Sequence, residues 1–327
     1  MSNKSWKDVW NAGPGPRSSY EIAKLYTKGF AMGTADLIPG VSGGTIAFIT
    51  GIYEGLLEAI ASIDKEFFKC LLQFKLKEAF SRLHLRFIFP VGLGIVTAIL
   101  GLARLMHFLL NEHPIPTWGA FFGLIAASII VIWRQLEKPF TLVSLAFIAL
   151  GAIVAWVLVS LIPVTTPESW WFIYLCGIIG ITAMILPGIS GSFLLLILGK
   201  YEYITGAVKN PFLIDNITII SVFLAGTVTG LLGFSKTLNW FLKHYHLQTM
   251  SFLTGILIGS MKKVWPWKEV LESVEIRGKI RVLREANVIP SEMNSESVLA
   301  VGLILIGFLA VIGLEFFSKK KESESSI

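Results

Sequence analysis

Apolar residues run through this chain in long blocks separated by short polar ones. Uninterrupted apolar stretches occupy about 87–110, 117–133, 140–162, 217–242, 249–263 and 298–317. Several reach the length of a helix that crosses a hydrocarbon layer, and they carry few charges. Two further apolar stretches, within 20–60 and 168–206, are cut by Pro-Gly and then by Ser-Gly. They predict broken helices rather than continuous ones.

The two interrupted stretches are copies of each other. Thr34 to Glu54 reads T-A-D-L-I-P-G-V-S-G-G-T-I-A-F-I-T-G-I-Y-E, and Thr182 to Glu202 reads T-A-M-I-L-P-G-I-S-G-S-F-L-L-L-I-L-G-K-Y-E. With Pro39 aligned on Pro187 the offset is 148, and ten of the 21 positions are identical without a gap. Chance at ordinary residue usage gives roughly one or two. The repeat continues at an offset of 132, pairing Gly94 with Gly226, Thr97 with Thr229, Gly101 with Gly233, Arg104 with Lys236, Thr117 with Thr249, Gly123 with Gly255 and Ser128 with Ser260.

Proline lacks a backbone donor and clashes with the preceding turn, while glycine reaches conformations closed to other residues. Each signature therefore predicts two half-helices around an unwound joint, at Pro39-Gly40 and at Pro187-Gly188. Within a bilayer such a joint survives only where protein or a watery cavity surrounds it. The half-helix starting near Ser42 or Ser190 would turn its free N–H groups and positive dipole end toward that cavity, where an anion can sit. Ser42, Gly43, Gly44, Thr45, Ser190, Gly191 and Ser192 are thus the expected anion-binding residues. The plainer alternative is a pair of kinked helices packed through small residues.

The expected order along the chain begins with a disordered cytoplasmic arm, 1–19, followed by repeat 1 over 20–134. That repeat contains the broken hairpin 20–60, a basic amphipathic linker 61–86 suited to a membrane surface, and two spans. A connecting span, 140–162, leads to repeat 2 over 168–267, with its broken hairpin at 168–206 and two spans. A charged amphipathic loop, 268–297, precedes the final span and basic tail, 298–327. The linker carries six Lys and Arg, whereas Asn111 to Pro116 carries none, so the first hairpin belongs in the cytoplasm. The span between the repeats brings the second in from the opposite face, giving inverted-topology repeats. Residues 262–297 strain this scheme, because it places seven Lys and Arg outside. The Lys319-Lys320-Lys321 tail falls inside.

Composition agrees with a membrane protein. The chain of 327 residues has 54% hydrophobic and 15% charged residues and a mean hydropathy of +0.69, against about 25% charged in soluble proteins. The fold class is an all-α integral membrane protein. The net charge of +6 sits beside the spans, where it meets anionic membrane lipids rather than nucleic acid. Two cysteines support neither a disulfide framework nor a metal site, and no cofactor motif is present.

Among charged residues inside apolar segments, Arg104 and Lys236 stand at matching repeat positions. A cation there costs about 2.5–3.5 kcal/mol on insertion scales, so it faces a cavity or a partner. The pair reads either as a two-sided clamp on phosphate or as side chains snorkelling to the nearer interface. Asp36, whose repeat mate is Met184, could hold a cation or accept a proton during coupling. Glu54 and Glu202 recur after Tyr53 and Tyr201 and are either coupling groups or solvated helix ends. No nucleophile elbow or nucleotide loop occurs, so an enzyme is not expected.

At these residues the chain resembles the bacterial polyprenyl-phosphate transporter family. The likeness rests on D-L-I-P-G-V-S-G-G-T at Asp36 to Thr45, G-I-Y-E at Gly51 to Glu54 and L-P-G-I-S-G-S at Leu186 to Ser192, and it covers about 20–317. It implies a flippase in the bacterial cytoplasmic membrane that returns undecaprenyl phosphate, or a related polyprenyl phosphate, from the outer to the inner leaflet for reuse in peptidoglycan. Alternating access between the repeats would move it, with a proton or sodium ion as the coupling partner. The residues alone leave two alternatives: a transporter of a small soluble anion, and a membrane enzyme acting on lipid phosphates.

Overall fold

The computed structural model describes residues 5–38, 41–136, 138–164, 166–276 and 279–325. The chain runs α1 (Trp6–Ala12), α2 (Ser19–Asp36), α3 (Gly43–Ile49), α4 (Tyr53–Ala61), α5 (Lys65–Leu72), α6 (Leu76–Arg82), α7 (Leu85–Glu112), α8 (Pro114–Gln135) and α9 (Leu142–Val159). It continues with α10 (Trp170–Ile185), α11 (Gly191–Ile197), α12 (Tyr201–Lys209), α13 (Ile214–His244) and α14 (His246–Val264). Strands β1 (Lys268–Ile276) and β2 (Lys279–Asn287) come before α15 (Ser295–Ser325). Among the described residues α7, α8, α9, α13 and Ser295–Gly313 of α15 are long and apolar enough to cross a membrane. Helices α3 and α4, bent by 119°, would add a sixth span if counted as one.

The helices break where the backbone chemistry demands it. Helix α10 stops two residues before Pro187, and Gly188 takes a φ of +86°, a region open to glycine. The corresponding joint of the first signature, Pro39-Gly40, lies outside the described residues. A second break follows each short half-helix. The N–H of Gly51 bonds the Phe48 carbonyl and that of Ile52 the Ala47 carbonyl, with Gly51 at φ +70°. Gly199, at φ +64°, and Lys200 repeat this on Leu196 and Leu195. This double hydrogen-bond pattern with a left-handed glycine is a standard helix stop. Each signature therefore forms three helices rather than two half-helices.

Two other expectations change. The arm expected to be disordered holds α1. Ser5 and Asp8 form a reciprocal capping pair, Val9 is buried, Trp6 packs on Phe80 and Trp10 on Phe89. Buried Arg86 donates to the Gly13 carbonyl at 2.6 Å, so the segment has tertiary partners that a local reading of its Gly, Pro and Ser content misses. The segment expected as a charged amphipathic loop contains the antiparallel β1–β2 hairpin. Burial works against the Glu285 charge, but Lys263 and Lys268, at 3.5 and 3.3 Å, outweigh it and hold its carboxyl below the usual range. Arg284 pairs with Glu272 at 3.8 Å.

The chain divides into two compact units, Met1–Ala103 with Thr166–His246 and Arg104–Thr165 with Leu247–Ile327. Within the first, α2 runs parallel to α7. A Cβ on Gly29 would strike the Val91 carbonyl, and one on Gly94 the Tyr26 carbonyl. Helices α10 and α13 repeat the contact: Gly177 lies on Phe223, and Gly226 on Tyr174. Within the second unit, Gly123 and Gly307 bring α8 against α15 through Ile304 and Ala120. Gly255 and Gly151 bring α14 against α9 through Ile148 and Phe252. Small residues let membrane helices approach to backbone contact, where packing replaces the missing hydrophobic drive. The spans 140–162 and 298–317, expected to stand outside the repeats, thus make matching contacts at an offset of 156.

These contacts give a stability contrast between two glycines of α13. Gly226→Ala forces a side chain into the Tyr174 carbonyl and should cost about 1–3 kcal/mol or more, the range for overpacking. Gly233→Ala meets nothing within 4 Å and should be neutral or stabilising by up to about 1 kcal/mol. Thermal unfolding of the two variants in detergent measures the difference.

Candidate functional site

The two signatures meet within the first unit, and the geometry follows from what the second break leaves unpaired. In an uninterrupted helix the N–H of Gly188 would bond the Met184 carbonyl, and that of Ile189 the Ile185 carbonyl. Pro187 ends that ladder. The first signature supplies the replacements. The Ser42 hydroxyl donates to the Met184 carbonyl at 2.6 Å, the Tyr53 hydroxyl donates to the Ile185 carbonyl at 3.1 Å, and the Gly188 N–H donates to the Thr45 hydroxyl at 2.8 Å. Ser42, Thr45, Tyr53 and Ser190 are all buried. An unpaired polar backbone group in such a place costs about 1–3 kcal/mol, so the three bonds hold the second break in place.

The residues expected to bind an anion are distributed unevenly. At the start of α3 the Gly43 N–H donates to an Asp36 carboxylate oxygen at 2.7 Å, and the Gly44 N–H donates to the Ser42 hydroxyl at 3.0 Å. A Cβ on Gly43 would collide with the Asp36 carboxylate, and one on Gly44 with the Ile185 carbonyl. Asp36 itself thus lies where the anion was expected. Before α11 the mate of Asp36 is Met184, and the Ser190 and Ser192 hydroxyls bond each other at 2.9 Å. Gly191 lies against the Gly180 carbonyl. Ser192 is exposed, and Pro187 and Gly188 are buried.

Other candidates lie farther out. Glu54 opens α4 and meets His246 at 3.0 Å, while Glu58 on the same helix meets Lys243 at 2.8 Å. Glu202 opens α12 and is exposed. Both acids in the Tyr-Glu pairs sit in a first helical turn, where a carboxylate complements the dipole. Arg104 and Lys236 are exposed on α7 and α13 and belong to different units. Among the described residues neither makes a hydrogen bond or an ion pair.

One buried cation went unnoticed in the sequence. Lys200 is 3% exposed, and its ammonium donates to the Thr166 carbonyl at 2.8 Å. The signal was present in the repeat: Lys200 stands where the first copy has Ile52.

The chain is also similar to known proteins. A family model described as VCA0040-like, undecaprenyl phosphate translocase-like, matches residues 32–280. A polyprenyl-phosphate transporter of Vibrio cholerae is 43% identical over 302 residues, covering 90% of this chain and 96% of the relative. A polyprenyl-phosphate transporter of Staphylococcus aureus is 32% identical over 255 residues, covering 73% and 84%. No solved structure matches the chain.

The interlock makes the two motif tyrosines unequal. Tyr53→Phe strands the buried Ile185 carbonyl and should destabilise by about 1–3 kcal/mol. Tyr201 is 37% exposed, and Tyr201→Phe should change stability by less than about 0.5 kcal/mol. Denaturation of the purified variants distinguishes them, and equal effects would remove the interlock from its central place.

Proposed function

The chain belongs to the undecaprenyl phosphate translocase-like family, and from that premise we propose that it transports polyprenyl phosphate. It returns undecaprenyl phosphate from the outer to the cytoplasmic leaflet of the bacterial cytoplasmic membrane. The carrying observation is the interlock of two broken hairpins through Ser42, Thr45 and Tyr53 in a chain alike over most of its length to proteins named polyprenyl-phosphate transporters. Paired broken helices in corresponding halves are the usual setting of a transporter's binding site.

The repeats extend to three spans each: α7, α8 and α9 after the first hairpin, and α13, α14 and α15 after the second. Three is odd, so the second half enters the membrane inverted, and rocking of the halves about the interlock exposes the site to each face in turn. Arg104 lies eight residues before the end of α7, and Lys236 eight before the end of α13. Inverted halves carry them toward opposite faces. They therefore grip the phosphate in succession rather than together, with the prenyl tail left in the lipid.

Asp36 is the coupling group. Its carboxylate occupies the Gly43 N–H, and a second anion at that end of α3 would have to displace it. Protonation would release it, tying phosphate binding around Ser42, Gly43 and Thr45 to a proton. The Ser190–Ser192 side, with Met184 in place of the acid, needs no such release.

Reconstituted protein should move undecaprenyl phosphate between leaflets of a proteoliposome, and a failure to do so would overturn the transporter reading. With an imposed proton or sodium gradient, wild type should accelerate, whereas Asp36→Asn should transport at a rate that ignores the gradient. An unchanged gradient response in the variant would leave Asp36 as a structural cap. Arg104→Ala should lower transport about tenfold or more with insertion intact, the worth of one charge-assisted hydrogen bond, and Arg104→Lys should recover part of it.

A further inference from the structure

We propose that Lys28 and Lys200 are the docking residues for the phosphate monoester headgroup, one in each half and one for each leaflet. This rests on the transporter reading. The two lysines are the cations that the hairpins themselves carry into the protein. The Lys28 ammonium donates to the Thr50 carbonyl at 2.6 Å at the end of α3. The Lys200 ammonium donates to the Thr166 carbonyl at 2.8 Å beside the end of α11, with the rings of Tyr203 and Phe172 centred 5.6 and 6.0 Å away. Among the described residues no carboxylate lies within ion-pair distance of either. A buried cation without a counter-charge is costly and in a membrane protein marks a functional site. The ammonium has three donors, so each lysine keeps hydrogen-bonding capacity for an anion.

Their positions strengthen the case. Lys28 and Lys200 are not repeat mates. At the offset of 148 the mate of Lys28 is Cys176 and the mate of Lys200 is Ile52. Yet the Lys28 ammonium lies at the carbonyl end of α3 at Thr50, and the Lys200 ammonium bonds Thr166, whose hydroxyl reaches the carbonyl end of α11 at Leu198, the mate of Thr50. The two halves supply a cation to the same place by different routes, which points to the charge as the property required. Helix capping does not account for it. In the second half the Thr166 hydroxyl already donates to the Leu198 carbonyl at 2.5 Å, so that helix end has a donor without Lys200. Access also differs: Lys200 is almost wholly buried, whereas Lys28 is only partly so. One docking point is closed while the other is partly open, as alternating access requires.

The test uses the full chain in proteoliposomes of one orientation, with undecaprenyl phosphate presented to one leaflet. Lys200→Met should raise the half-saturating lipid concentration roughly tenfold or more for lipid on the extracellular face, the worth of a charge-assisted hydrogen bond. Lys28→Met should do the same for lipid on the cytoplasmic face. Lys200→Arg and Lys28→Arg should recover part of the loss, and the melting temperature of Lys200→Met should equal or exceed that of wild type. Met variants with wild-type half-saturation from both faces, or with losses that only track lost stability, would overturn the assignment. Inorganic phosphate that competes as strongly as the lipid would overturn it too, by making the ligand a free anion. A wild type that moves no lipid would instead overturn the transporter reading, so the two failures are distinguishable.

Discussion

A helix that stops inside a membrane leaves backbone donors and acceptors that lipid cannot satisfy, and the surrounding protein must supply their partners. Much of this structure follows from that demand. The Pro-Gly break after α10 frees the carbonyls of Met184 and Ile185 and the N–H of Gly188. Three side chains from the other signature, Ser42, Tyr53 and Thr45, take them up. The break of the second hairpin is completed by the first signature. The partners run one way, from the first signature to the second break, so the two copies of Pro-Gly and Ser-Gly have taken different structural roles.

The same economy of backbone governs the long helices. In each unit two parallel pairs are drawn to carbonyl contact by glycines, α2 on α7 and α10 on α13 in one, α8 on α15 and α9 on α14 in the other. Parallel helices that touch so closely cannot be sequence neighbours joined by a short turn. The chain has to leave and come back, which is what a duplicated order of hairpin and spans provides.

The sequence showed the doubled break, the repeat offsets and the helical membrane class, because Pro, Gly and long apolar runs act locally. What it concealed depends on distant partners. The helix stop at Gly51 and Gly199 looks like two ordinary glycines until the carbonyls of Ala47 and Leu195 are found bonded across the turn. Helix α1 is held by Arg86, Phe80 and Phe89, some seventy residues away. The equivalence of α9 and α15 is nearly silent in sequence, since two uniformly apolar helices share little beyond Gly151 with Gly307 and Ile148 with Ile304. It emerges only from which backbone each glycine touches. Of the candidate residues, those of the signatures were brought together, whereas Arg104 and Lys236 fall in separate units.

The departures from symmetry carry as much meaning as the symmetry. Asp36 faces its α3 terminus where the second half has Met184. Thr45 and buried Tyr53 complete the other half's break, while their mates are Phe193 and the exposed Tyr201. Identical halves exchanging roles would have two access states of equal energy, and a ligand can shift such an equilibrium only through its differential affinity for the two states. Here Asp36 sets a titratable acid at the start of α3, whereas Met184 at the matching place cannot titrate. In the proposed transport cycle the two states would then differ by a proton-dependent amount before any ligand binds, and a gradient would act on that inequality.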